Sequence, residues 1–169
     1  MELWDLYDEN KNVTGKIHER GKLVPEGFYH LVVHVWIKNK DGLFLISRRD
    51  KSRESYPLRL ECPGGSVLLG ETSLEGAIRE TKEEVGIDLS NIKGEMIYRK
   101  IRHHFRDIMD VWLFEYNGEV NLDNATTNEV CEVMWMKYDD IKNALVSGEL
   151  VPTLDYFFDI DKKVLGVKK

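Results

Sequence analysis

Three glutamates, Glu80, Glu83 and Glu84, stand at i, i+3 and i+4 in a stretch whose apolar residues recur with helical spacing. On a helix these positions are surface neighbours, and like charges there cost about 0.2–0.5 kcal/mol per pair. A divalent cation would turn that repulsion into ligation. Mg2+ takes oxygen ligands in octahedral geometry, keeps several waters and commonly bridges carboxylates to phosphate groups. The spacing therefore suits a metal–diphosphate site. A bare triad of this kind is more often a solvated helix face, so its neighbours have to decide between the two.

The neighbours are informative. Thr72 with Glu75 three residues on predicts a capping box, and hence a helix over Ser73–Val85. Leu74, Ala77, Ile78, Thr81 and Val85 fall on one stripe that should face the core, with the three acids on a face away from it. Gly86 suits the left-handed residue after a helix. From Gly65 to Ile87 the segment matches the pattern G-x5-E-x7-R-E-U-x-E-E-x-G-U, where U is a bulky aliphatic. All seven fixed identities are present, as Gly65, Glu71, Arg79, Glu80, Glu83, Glu84 and Gly86. A chance match in one register is on the order of 10⁻⁸ at background frequencies. The segment thus resembles the Nudix box. Thr81 departs from it at the first U position, where its methyl group still permits a place on the core stripe. The likeness extends to a strand–turn–strand before the box, to Glu61-Cys62-Pro63-Gly64-Gly65, and to Glu129 through Trp135. Leu60 stands where the family often has Trp, so stacking from that position is lost.

The resemblance implies a hydrolase that splits a diphosphate linkage in a nucleoside diphosphate derivative or a related small metabolite. Its cofactor would be Mg2+, or Mn2+ in its place. Glu80, Glu83 and Glu84 would be metal ligands, with the Gly65 carbonyl as another. Glu71 would pair with Arg79 and through it orient Glu80. The general base is then either Glu80 or an acid from a later loop, for which Glu129, six residues before Trp135, matches the family and Glu132 reads as a solvated charge. Arg48 and Arg49, ending a strand, either reach a substrate phosphate or are a solvated strand end. His103, with His104 and Arg106, is either an anion contact or a plain polar loop.

Two other classes share this fold. His30 matches a metal-binding histidine of isopentenyl-diphosphate isomerases, but their catalytic cysteine would fall at Gly64 and another metal histidine at Ser66. Cys62 lies two positions away and does not simply substitute. A Nudix-fold module that binds without turnover usually lacks acids of the box, all of which are present here. The proline expected about fifteen residues after the box in enzymes acting on ADP-ribose is missing, since the prolines are Pro25, Pro57, Pro63 and Pro152.

The remaining chain must position these residues. Leu3–Tyr7 and Val13–His18 read as an N-terminal hairpin within an extension over residues 1–29, which either caps a sheet edge or mediates homodimerisation. Strands are predicted at His30–Ile37, Leu43–Ser47, Met96–Arg102, Ile108–Tyr116 and Val130–Lys137, with a loop over Arg48–Arg59 and a break at Pro63-Gly64-Gly65. His34 reads as a satisfied core histidine on a strand buried on both faces. Helices are predicted at Asp140–Val146 and from Pro152 to Ile160. Together they imply one α/β domain over residues 1–169, a Nudix-type α/β/α sandwich around a mixed β-sheet. The 169 residues are 42% hydrophobic and 32% charged, with a net charge of −6 and no basic stripe, which argues against a polymeric nucleic acid as partner. No signal peptide or membrane span is evident, and Cys62 and Cys131 form no CxxC pair, so a reduced cytoplasmic setting is expected.

Overall fold

The computed structural model describes residues 1–168, so Lys169 lies outside the described residues. A mixed sheet runs in the order β5(Leu60–Glu61), β4(Phe44–Arg49), β3(His30–Lys38), β8(Asp107–Glu115), β7(Gly94–Arg102). Strand β6(Gly64–Ser66) pairs with the first half of β3, and β9(Val130–Met136) pairs with β4. β3 and β8 are parallel and the other pairings antiparallel. Apolar residues alternate on β3 as a central strand requires. Val32 and Trp36 enter one core, while Leu31, Val33, Val35 and Ile37 enter the other. Helix α1(Ser73–Val85) covers the second face. Helix α2(Tyr138–Ser147) and residues 150–160 cover the first, giving the expected α/β/α sandwich.

Three local expectations are corrected, and the N-terminal hairpin forms as expected. Pro63-Gly64-Gly65 does not simply break the chain, because Gly64–Ser66 adds a short strand to β3. The Arg48–Arg59 loop is shorter than expected, since Arg48 and Arg49 continue β4. Pro152–Asp159 is a 3-10 helix rather than an α-helix, and a short α3(Lys162–Leu165) follows it. The hairpin β1(Leu3–Tyr7)–β2(Val13–Glu19) is a separate two-stranded sheet, joined to the rest by paired backbone bonds between Tyr7 and Tyr29 of 2.8 and 2.9 Å. Its own small core is Trp4, Leu6 and Val24. Among the described residues no helix is long and apolar enough to cross a membrane.

Candidate active site

Helix α1 places most of the acids, and its ends are specified locally. Thr72 Oγ1 accepts from the Glu75 amide at 3.2 Å while the Glu75 carboxylate accepts from the Thr72 amide at 2.8 Å. Gly86 closes the helix at φ 75°. A Cβ there would come within 2.7–2.9 Å of Asn124 and Ala125, so glycine lets the following loop lie on the helix end. That loop is tied down by the Glu83 carbonyl, which accepts from the Thr126 and Thr127 amides at 2.9 and 3.1 Å. This tether carries Glu129 to the acids of the helix.

Ala77, Thr81 and Val85 are fully buried, and Thr81 Oγ1 donates to the Ala77 carbonyl at 2.8 Å. Two expectations about the stripe fail. Leu74 is 38% exposed, because the helix approaches the sheet through Gly76, where a Cβ would sit 2.8 Å from Val67. Glu84 does not stay on an outer face with the other acids. It falls beside Thr81 and Val85 on the core side and is only 5% exposed.

Strand β6 brings backbone against these acids. A Cβ on Gly65 would lie 2.4 Å from Glu80 Oε1, so glycine is what allows the carboxylate to rest on the chain at this point. A Cβ on Gly64 would lie 2.3 Å from the Val33 carbonyl, a backbone clash that leaves no room for a thiol. His30, the other isomerase-like position, is stacked beneath Trp4 with ring centroids 4.1 Å apart.

Arg79 organises the exposed side of the cluster. Its Nε and Nη2 donate to Glu71 at 2.6 and 3.0 Å, and Nη2 also reaches the Ser66 carbonyl at 2.8 Å. Its Nη1 contacts Glu80 at 3.0 Å and Glu83 at 3.2 Å. Burial would raise the Glu71 pKa, but the Arg79 and Leu68 hydrogen bonds outweigh it and hold Glu71 below the usual carboxylate range. Glu80 goes the other way, to about 7, because burial and the charges of Glu83 and Glu129 overcome Arg79. Glu84 is pushed well above its ordinary value by burial, then by Glu61, Glu80 and Glu129, with only the Gly64 amide at 3.3 Å opposing.

Among the described residues no three His, Cys, Asp or Glu side chains already close around one point, and Arg79 draws Glu80 and Glu83 toward itself. The donor set nevertheless fits a hard divalent cation. It consists of oxygens, and its most buried member, Glu84, is flanked by carboxylates. An uncompensated buried charge is costly, and a cation would remove the cost.

Two adjoining cavities open beside this cluster. One of about 260 Å³ lies over Gly64 and Gly65 and is lined by His34, Glu61 and Arg102 among others. The other, of about 640 Å³, is lined by Arg20, Ser52, Thr127 and Glu129, and the two share Arg49, Arg53 and Ser55. Glu129 faces Arg53 at 3.0 Å. Glu132 instead pairs with Arg48 at 2.8 Å on the exposed side of the sheet. Arg49 lines both cavities, but its Nη1 holds both oxygens of Glu61 at 2.8 Å and its Nε holds the Ser55 carbonyl at 2.9 Å. His103 lies in a further cavity near Phe105 and meets the Tyr29 hydroxyl through Nδ1 at 2.9 Å.

Glu61 enters the sequence reading only as part of the approach to the box, with no site role given to it. Its pKa is raised by burial, against the pull of Arg49. The one available signal was an acid set between the apolar Leu60 and Cys62 just before the glycine pair. His34 accepts a hydrogen bond chain from Tyr156, with Nδ1 at 2.8 Å from its hydroxyl, and burial lowers its pKa to about 3. It is therefore a neutral histidine satisfied at Nδ1 alone rather than the fully satisfied core residue expected, and it also lines the cavity.

The site is thus a capped acidic helix packed on a mixed sheet, with glycine backbone against its carboxylates. Comparison with known proteins places that architecture. The NUDIX domain profile matches residues 28–156. The chain is 39% identical over 161 residues to an uncharacterized Nudix hydrolase of Listeria innocua, covering 94% of this chain and 91% of that protein. It is 38% identical over 163 residues to one of Listeria monocytogenes, with the same coverage. Among solved structures, DR0079 from Deinococcus radiodurans superposes with a TM-score of 0.73 at 22% identity, over 89% of this chain and 92% of that one. The chain belongs to the Nudix hydrolase family.

Proposed function

We propose that the protein is a Mg2+-dependent pyrophosphohydrolase that cleaves the diphosphate linkage of a nucleoside diphosphate derivative or a related small phosphorylated metabolite. The observation that carries this reading is the burial of Glu84 against the Gly64 amide, with Glu61, Glu80 and Glu129 near enough to raise its pKa, beside a cavity lined by Arg49, Arg53 and Arg102. Glu80, Glu83, Glu84 and the Gly65 carbonyl are the ligands in this reading. When bound, the divalent ion supplies charge neutralisation at the phosphate oxygens and acidifies a water. Glu71 and Arg79 hold Glu80 in place, so the ligand geometry needs little reorganisation. Glu129, tethered by the loop on the Glu83 carbonyl, takes the proton from the attacking water. Arg53, now paired with Glu129, lies where it can turn to the substrate's phosphoryl oxygens. Isomerisation of the kind the isomerase resemblance would need lacks its thiol, because a side chain at Gly64 would meet the Val33 carbonyl. A cytoplasmic setting is part of the same reading and is supported by two free thiols, Cys62 and Cys131.

The test is a product assay against a panel of nucleotide and prenyl diphosphates with Mg2+ and, in parallel, Mn2+. The wild type should release phosphorylated products, and the double variant Glu83→Gln, Glu84→Gln should lose turnover by orders of magnitude while keeping its circular dichroism spectrum. Unchanged metal-dependent turnover in the double variant would sink the proposal.

A further inference from the structure

The smaller cavity contains a hydrogen-bond arrangement that the proposed metal chemistry does not use. Trp36 Nε1, a donor only, lies 3.0 Å from the Tyr156 hydroxyl oxygen. That oxygen therefore accepts from Trp36, and its own proton goes to His34 Nδ1 at 2.8 Å. A neutral imidazole carries one N–H, so the His34 proton must sit on Nε2. Trp36 is fully buried and Tyr156 nearly so, and this is the arrangement that gives the Tyr156 hydroxyl proton an acceptor, since the hydroxyl has no other partner among the described residues. His34 Nε2 has no hydrogen-bond partner among the described residues, and it is not one of the side-chain atoms sealed without a partner, which are Trp4 Nε1 and His30 Nδ1. It opens instead onto the cavity that His34 lines with Val32, Gly64 and Leu154.

Arg102 lines the same cavity and is near enough to act on the charge of His34. Its Nε and Nη2 are each spent on Asp107 at 2.7 Å, which leaves Nη1 without a partner among the described residues. Glu61, the carboxylate in the wall, is turned to Arg49. The cavity thus holds two donors without a protein partner, His34 Nε2 and Arg102 Nη1, beside the hydroxyls of Ser66 and Thr153.

We infer that His34 Nε2–H and Arg102 Nη1–H together bind a phosphoryl oxygen of the substrate over Gly64–Gly65, with Tyr156 and Trp36 as positioning residues that hold the His34 tautomer. This rests on the proposed diphosphate substrate and adds where one of its phosphoryl groups lies. An unprotonated, negatively charged oxygen satisfies both donors at once. At about 260 Å³ the cavity suits one phosphoryl group and its link, and the larger cavity beyond Arg49 and Arg53 is left for the rest of the molecule.

The experiment reads the imidazole directly, by long-range proton–nitrogen correlation on nitrogen-15-labelled protein. His34 should show a protonated Nε2 and a bare Nδ1, and Tyr156→Phe should lose that preference. Methylenediphosphonate with Mg2+ should shift the Nε2–H resonance of the wild type. In turnover, His34→Phe should raise KM by about tenfold or more with a smaller change in kcat, and His34→Gln, which keeps a donor near Nε2, should recover most of it. A proton on Nδ1 in the wild type, or an Nε2 signal unmoved by saturating methylenediphosphonate, overturns the assignment. In the second case a responding Glu83 amide leaves the metal-site reading standing, and a silent one removes that as well.

Discussion

Glu84 is an acid placed where an apolar residue would be more stable. It is 5% exposed, and burial and three neighbouring carboxylates press it toward its neutral form. Glu84→Gln removes that charge with little change of shape. Without metal the variant should therefore melt higher than the wild type, and it should lose the stabilisation that Mg2+ confers on the wild type. A variant that melts lower without metal and still gains from Mg2+ would contradict both halves. The pH dependence follows from Glu80. Its folded pKa of about 7 lies above the unfolded 4.5, so the folded state binds the extra proton. The stability from that proton is fully present below about 4.5 and is lost as pH rises through about 7. Metal ligation needs the carboxylate, so the Mg2+ shift in melting temperature should grow over the same window. Melts at about pH 5.5 and pH 8, with and without Mg2+, check the sign. At Glu129 and Glu132 the two partners predict a split. Glu129→Gln should cut turnover sharply, while Glu132→Gln, which breaks only an exposed pair with Arg48, should not. The reverse result would move the base to Glu132, and no effect from either would move it into the helix.

At the scale of the element, α1 is held at both ends by features that also aim the site. Thr72→Ala removes one half of the capping box and should cost about 1 kcal/mol of stability in urea unfolding, with turnover at low temperature little changed. Gly86→Ala should do more. A Cβ at φ 75° is strained, and it meets Asn124 and Ala125 within 2.9 Å. The loop to Glu129 must then move. Gly86→Ala should lower both stability and kcat, whereas Thr72→Ala should lower stability alone. If the two variants lose activity in the same proportion to stability, the loop does not depend on Gly86.

In the whole molecule, the N-terminal hairpin is a sheet of its own, joined to the sandwich through Tyr7 and Tyr29. Its core is small, and Trp4 does much of the joining by stacking on His30. Arg20, just past β2, nevertheless reaches the wall of the larger cavity. Trp4→Ala should therefore speed amide exchange across β1 and β2 while α1 stays protected, and should raise KM for the substrate without a matching fall in kcat. Exchange that rises equally in α1 would show the hairpin and sandwich opening as one unit.

Much was decided along the chain itself. The capping box of Thr72 and Glu75, the stripe of Ala77, Thr81 and Val85, the glycine stop and the box spacing are local, because a helix repeats every few residues and brings its own residues together. Strand β3 was legible for the same reason, through a period of two. What adjoins across strands was not legible. Glu61 reaches the acids because β5 ends beside β6, and Glu84 is buried because Gly76 lets the helix settle deeper on that side. The meeting of His34 with Tyr156, 122 residues apart, depends on residues 150–160 folding back over the sheet. No local periodicity encodes such a contact. The residue types and their spacing on α1 determined the family and the proposed chemistry. Only the packing of separate elements decided which acids are buried, which arginines are already paired and which donors face the cavity.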